Sequence, residues 1–156
     1  MLNTFVLDIC GCNASWTMEN FAEQAVRDIR EQVGNEKIIL GLSGGVDSSV
    51  AAALLARAVG RQLTCIFIDN GLLRKNEAAE VIELFKSNVD IEIKSIDASD
   101  RFLRALKGTE DPEEKRKIIG REFIREFEQA AGDLGNVRYL AQGTIYPDRI
   151  ESKSTK

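Results

Sequence analysis

The sequence has 156 residues, of which 44% are hydrophobic and 29% charged, with a net charge of −4. That is the size and balance of one globular domain with a full-sized core, and its acidity argues against a stand-alone nucleic-acid binder. No apolar run is long enough to span a bilayer, and the N-terminus lacks a basic-then-apolar leader, so the expected compartment is the cytoplasm, with no membrane partner.

The chain has three cysteines, Cys10, Cys12 and Cys65, and no histidine. An odd thiol count without a leader points to reduced cysteines. Cys10-Gly11-Cys12 has no second pair to complete a zinc site, so small packing residues are the better reading. Without His, Ser-His-Asp and Cys-His nucleophilic schemes are excluded.

Residues 1–16 show little amphipathic period and read as a connector. From Thr17 to Val33, Met18, Phe21, Ala22, Ala25, Val26, Ile29 and Val33 recur at helical spacing, with Thr17 as N-cap and Gly34 as stop. Lys37-Ile38-Ile39-Leu40-Gly41-Leu42 is an apolar strand. A glycine loop follows, then an Ala/Leu-rich helix predicted over Ser48–Val59 and closed by Gly60. Leu63–Ile68 reads as a buried strand ending at Asp69-Asn70-Gly71. Asn76–Phe85 reads as a helix, Ile91–Ile96 as an alternating strand, and Ser99–Leu106 as a short helix. Pro112 opens a long helix carrying Ile118, Ile119, Phe123, Ile124 and Phe127, and Val137–Ala141 is a last strand.

Strands alternating with helices predict an α/β fold: a Rossmann-like, mostly parallel sheet with helices on both faces and right-handed crossovers. Ligands bind such sheets at the carboxyl ends of the strands. Three of those ends carry polar or glycine-rich groups: Ser43 onward, Asp69-Asn70-Gly71 and Gln142-Gly143-Thr144. They are expected to line one edge as a single site.

The most informative stretch is Ser43-Gly44-Gly45-Val46-Asp47-Ser48-Ser49. Strand, tight glycine loop and helix together aim backbone N–H groups at one spot, the positive end of a helix, which suits a phosphate or pyrophosphate. Gly44 and Gly45 let a phosphate approach the backbone. The hydroxyls of Ser43, Ser48 and Ser49 can donate to its oxygens, and Ser48 or Ser49 can cap the helix. Asp47 would repel a phosphate unless a Mg²⁺ bridges the two. The loop is neither a Walker A sequence, since no Lys follows the glycines, nor the G-x-G-x-x-G dinucleotide fingerprint.

This loop resembles the pyrophosphate loop of the ATP pyrophosphatases, which cleave ATP between its α- and β-phosphates. Four further segments make the chain similar to the ATP pyrophosphatase domain of the glutamine-hydrolysing GMP synthetases. They are Ile9–Cys12 with Trp16-Thr17-Met18, Phe67–Arg74, Asp111–Gly120 and Ala141–Ser152. The resemblance implies the adenine nucleotide alpha hydrolase-like form of the fold. It also implies a ligase of purine biosynthesis: ATP adenylates the C2 oxygen of xanthosine 5′-monophosphate (XMP), pyrophosphate leaves, and ammonia displaces AMP to give GMP. ATP and Mg²⁺ are the implied cofactors, with Asp47 as metal ligand and catalytic residue. Gly41, Leu42 and Ile68 would border adenine, with Phe123 as a further contact, and Val46 belongs to the phosphate loop. Arg116, within Lys115-Arg116-Lys117, is the residue expected on a substrate phosphate or transition-state oxygen. Taken alone, that charge run reads as a solvated helix face. Asp148 and Glu151, three apart, belong to the family's lid and are the remaining catalytic expectations.

The resemblance divides the chain into a connector from a glutamine amidotransferase domain (1–16), the ATP pyrophosphatase domain (17–152) and the start of a lid segment (153–156). In the family the lid continues through a Lys-Ser-His-His segment to a dimerisation domain, so this chain reads as part of a homodimeric enzyme that the amidotransferase domain supplies with ammonia. Alone it is expected to be inactive in the full reaction. The alternatives are another amidating synthetase such as an NAD synthetase, which deamido-NAD-dependent pyrophosphate release would reveal, and a non-catalytic ATP/AMP-binding module, which would release none.

Overall fold

The computed structural model describes residues 2–13, 16–88 and 91–143. A π-helical segment at Thr4–Ile9 is followed by α1 (Met18–Val33), β1 (Lys37–Leu42), α2 (Val46–Val59), β2 (Leu63–Asp69), α3 (Glu77–Asn88), β3 (Glu92–Asp97), α4 (Ser99–Leu106), α5 (Pro112–Leu134) and β4 (Val137–Ala141). Local chemistry sets the helix ends. Thr17 is extended and its Oγ1 accepts from the Asn20 amide at 3.1 Å, which starts α1. Gly34 ends it at φ +57°, a conformation costly for residues with a Cβ. Asp111 Oδ1 accepts from the Glu114 amide at 2.8 Å, with Pro112 in the first turn of α5.

The strands are parallel, in the order β3-β2-β1-β4. The chain steps from β1 to β2 to β3 in one direction, then returns to place β4 on the other flank of β1. Alternation along each strand divides the core. Ile38, Leu40 and Leu42 of β1, with Leu63, Cys65 and Phe67 of β2, pack under α1, α2 and α3. Ile39, Ile66 and Ile68 pack on the other face, against Phe102 of α4 and Ala130 of α5. The expected α/β architecture, with helices on both faces, is therefore present.

Polar clamps fix the helices. The Arg30 guanidinium donates to the carbonyls of Arg57 and Ala58, both at 2.7 Å, and so caps α2 from α1. Gln62 donates to the Gly34 and Glu36 carbonyls at 2.8 Å. On the far face Arg101 Nε lies 2.7 Å from Glu126 Oε1, whose side chain is only 8% exposed. That ion pair joins α4 to α5 and neutralises a carboxylate that would otherwise be buried alone.

Besides one-residue shifts at β2, β3 and the start of α3, three readings change. Helix α2 begins at Val46 rather than Ser48, because extended Gly45 serves as its N-cap. The Ser48 and Ser49 hydroxyls turn back onto the Gly45 carbonyl, so neither caps the helix. Helix α3 runs past Phe85 to Asn88. The N-terminal stretch, without amphipathic period in sequence, is helical over Thr4–Ile9 yet buries no residue.

Cys65 of β2 is fully buried in the core on the α1–α3 face of the sheet, whereas Cys10 and Cys12 are exposed. Burial pushes the Cys65 thiol up to about 11. Iodoacetamide at pH 8 is therefore expected to modify Cys10 and Cys12 quickly and Cys65 only after unfolding, as peptide mass spectrometry would show. Because the folded state favours the protonated thiol, its contribution to stability is intact below the ordinary value of 9.0 and is lost as pH rises toward 11. Cys65→Ala should remove that part of the alkaline stability loss in denaturant titrations.

Candidate functional site

The loop after β1 is built by its own hydrogen bonds. Ser43 Oγ and Ser48 Oγ lie 3.0 Å apart, and the Gly45 amide donates to Ser43 Oγ at 3.3 Å. The Ser43 amide donates to Ser48 Oγ at 3.3 Å. Gly44 sits at φ +78°, and a Cβ there would lie 2.7 Å from Val81 Cγ2 of α3. This glycine is required twice, by its backbone and by its neighbour. No side chain caps α2, and its first backbone bond runs from the Ser49 amide to the Gly45 carbonyl at 3.1 Å. The amides of Val46, Asp47 and Ser48 thus belong to the first turn, where helical donors lack helical partners and the dipole favours an anion. Asp47 is exposed in that same turn.

Beside the loop is a cavity of about 360 Å³ lined by Gly41, Ser43, Phe123, Ile124, Phe127, Glu128, Leu140, Ala141 and Gln142. Its volume falls at the low end of small-molecule sites, about 300–1,000 Å³. It lies at the carboxyl ends of β1 and β4, where strand order reverses, the expected place for a ligand in an open parallel sheet. Gly41 leaves room for the aromatic wall, since a Cβ there would meet Phe127 Cε2 at 3.4 Å. Gly143 abuts the loop, and a Cβ on it would lie 3.6 Å from Asp47. Ser43 belongs to both the loop and the cavity.

The predicted residues do not all converge here. Gly41, Ser43 and Phe123 line the cavity, with Gly44, Gly45, Val46, Asp47, Ser48 and Ser49 in the adjoining loop and first turn. Leu42 does not line it: its side chain packs under α1–α3 on the opposite face of the sheet, because it is one residue out of phase with Gly41. Ile68 is 3% exposed within the α4–α5 core and also lies outside the lining. Arg116 is 78% exposed and paired with Glu113 at 3.0 Å on the first turns of α5. Of the three strand ends expected to share one site, Gln142-Gly143 adjoins the loop. Asp69-Asn70-Gly71 is tied instead to the start of α4: its side chains accept from Gly71 and Leu72 amides, and the Asp69 carbonyl accepts from the Ala98 amide. Thr144, Asp148 and Glu151 lie outside the described residues. Sequence reasoning missed Ile124, Phe127, Glu128 and Leu140 as lining residues. The i,i+4 pair Phe123/Phe127 was visible as an apolar helix face, but only the return of β4 beside β1 makes that face a wall.

Among the described residues no three acidic or thiol side chains cluster as a metal cage, and no helix is long and apolar enough to cross a membrane.

Residues 18–126, from α1 through the loop and into α5, match the NAD synthase family model. The chain belongs to the NAD synthase family. The curated relatives include the GMP synthase [glutamine-hydrolyzing] of Thiobacillus denitrificans, 58% identical over 156 residues, covering 100% of this chain and 30% of the relative. The enzyme of the same name from Methylobacillus flagellatus is 60% identical over 156 residues, with the same coverage. The chain thus spans 30% of the length of these relatives. Among solved structures, the NH3-dependent NAD synthetase from Campylobacter jejuni, in complex with the nitrate ion, superimposes with a TM-score of 0.66 at 20% identity. That match covers 80% of this chain and 56% of the other and shows a shared fold.

Gly44→Ala is expected to destabilise the chain by about 1–2 kcal/mol from backbone conformation alone, and by more from the clash with Val81. Adding Val81→Ala removes the clash but not the backbone strain. The double variant should therefore lose less stability in urea than the sum of the single losses.

Proposed function

We propose that this chain is the ATP-activating part of a GMP synthase, with the loop holding the β- and γ-phosphates that leave as pyrophosphate and the adjoining cavity taking the adenine. The observation that carries the reading is the meeting of an uncapped helix terminus and a base-sized apolar cavity at one residue, Ser43. A nucleoside triphosphate presents both of those chemistries in one molecule. Identity of 58–60% to GMP synthases across all 156 residues supports XMP as the group activated.

In this reading Phe123 and Phe127 hold the base by stacking and exclude water from it. First-turn amides and the loop hydroxyls take the charge that develops on the departing pyrophosphate. The donor set suits Mg²⁺, which binds through one or two carboxylates together with phosphate oxygens rather than in an all-protein cage. Asp47 would hold the ion, which when bound would neutralise phosphate charge. Arg116, freed from Glu113, would serve a substrate oxyanion, and Asp148 and Glu151 would act from the lid. Ammonia from an amidotransferase domain, assembly as a homodimer and a cytoplasmic setting complete the proposal.

Thermal unfolding with Mg²⁺ and either ATP, AMP or pyrophosphate, with GTP as control, tests this. A ligand at 100 times its Kd should stabilise the chain by about 2.7 kcal/mol. ATP and pyrophosphate should stabilise it, Asp47→Ala should reduce the effect, and GTP should give none. No shift with pyrophosphate, or equal shifts with ATP and GTP, would overturn the assignment. XMP added to the ATP complex should raise the midpoint further where deamido-NAD does not.

A further inference from the structure

Glu126 is a buried carboxylate that belongs to neither the phosphate loop nor the cavity lining. It sits on α5 between Phe123 and Phe127, the two aromatic residues of the cavity wall. Its side chain is 8% exposed, and its Oε1 lies 2.7 Å from Arg101 Nε of α4. At about 100° per residue, Phe123 and Phe127 stand about 60° and about 100° round the helix from Glu126, both to the same side. The carboxylate and the wall are therefore coupled in rotation. Helix α5 cannot turn to bring Glu126 toward water without carrying both rings with it.

Arg101 is itself held by the sheet. The Ala98 amide donates to the Asp69 carbonyl at the end of β2, at 2.8 Å, and Phe102 is fully buried. Arg101 Nη2 also donates to the Asp97 carbonyl at 3.4 Å, which keeps the guanidinium against the start of α4. Another ion pair on α5, Lys94 with Asp133 at 3.4 Å, is two turns further along and exposed at Asp133, so it does little to set the rotation beside the cavity. The two members of the buried pair are not equivalent. The Arg101 side chain is 43% exposed and can be hydrated alone, whereas Glu126 without its partner would be a buried, uncompensated charge.

We propose that Arg101 is a positioning residue for base binding: by neutralising Glu126 it holds α5 at the rotation that faces Phe123 and Phe127 into the cavity. The ligand chemistry is a purine base. Phosphates are indifferent to the pair, because β1 and α2 carry the loop that takes them. This rests on the reading of the cavity as the adenine site.

Calorimetric binding of AMP, Mg²⁺-ATP and Mg²⁺-pyrophosphate to the chain tests it, with each variant first shown to be folded by urea titration. Arg101→Met strands the carboxylate and should weaken AMP and ATP by about tenfold, the order of one aromatic contact, with pyrophosphate within about twofold of the unmodified chain. Should Arg101→Met fail to fold, Arg101→Lys keeps the charge without the guanidinium geometry and should lose about threefold on the same two ligands. Glu126→Leu removes the charge that needs a partner. Arg101→Met combined with Glu126→Leu should therefore bind all three ligands nearly as the unmodified chain does, a rescue that a general loss of packing would not show. Parallel losses for all three ligands, or a double variant no better than Arg101→Met, would reduce the pair to a general support and overturn the assignment. Unchanged AMP and ATP binding in the Arg101 variants would overturn it too, while leaving the base reading of the cavity intact. Absence of AMP and ATP binding by the unmodified chain would overturn the base reading and the role of Arg101 with it.

Discussion

The return of β4 to the free flank of β1 is the constraint on which the rest of the structure depends. Had the fourth strand continued outward beside β3, β1 would be an edge strand and its carboxyl end would open onto solvent. With β4 in place, the strand order reverses at β1, and a cavity lies between the ends of β1 and β4 and helix α5. The loop after β1 forms one wall, α5 the second, and the end of β4 with Gln142 the third. None of these makes a site alone. A glycine loop without the crevice is a turn, and the Phe123/Phe127 face without β4 is part of a helix.

The scaffold around the crevice is held by groups that have nothing to do with a ligand. Arg30 closes the far end of α2, so the helix whose N-terminus faces the site is fixed at its other end. Arg101 and Glu126 fix α5 against α4, and with it the aromatic wall. Gly44 reaches across to Val81, so the loop rests on α3 as well. Rigid elements on three sides support a loop whose own hydrogen bonds are short-range. That division suits a site that must present donors in a set geometry before anything binds.

Much of this was legible in the sequence, because the local rules and the global fold agree. Thr17, Gly34, Gly60 and Asp111-Pro112 mark helix ends by the same chemistry that sets them in three dimensions, and the alternating strands announced a parallel sheet. The loop was legible because Ser, Gly and Asp between an apolar strand and a small-residue helix have few other uses. What was lost is the phase of a strand relative to its neighbours. Gly41 and Leu42 are adjacent in sequence yet belong to opposite faces, and Ile68 has the right strand but the wrong side. Nor could sequence distinguish Ser48 from Ser49 as helix caps, since the choice falls to the Gly45 backbone. Arg116 shows the opposite limit: its residue type suits an oxyanion, but its nearest partner in the structure is Glu113, one helical turn away.

The two rims of the sheet are unlike. Along β3, Glu92, Lys94 and Asp97 place alternating charges on one border, the usual defence of a strand with an open hydrogen-bonding side. Along β4 the only such charge is Arg138, and Leu140 stands 61% exposed on what is, among the described residues, the outer strand. Among the described residues, the β3 border therefore carries charges of both signs, whereas the β4 border presents an apolar side chain beside the cavity it helps to line.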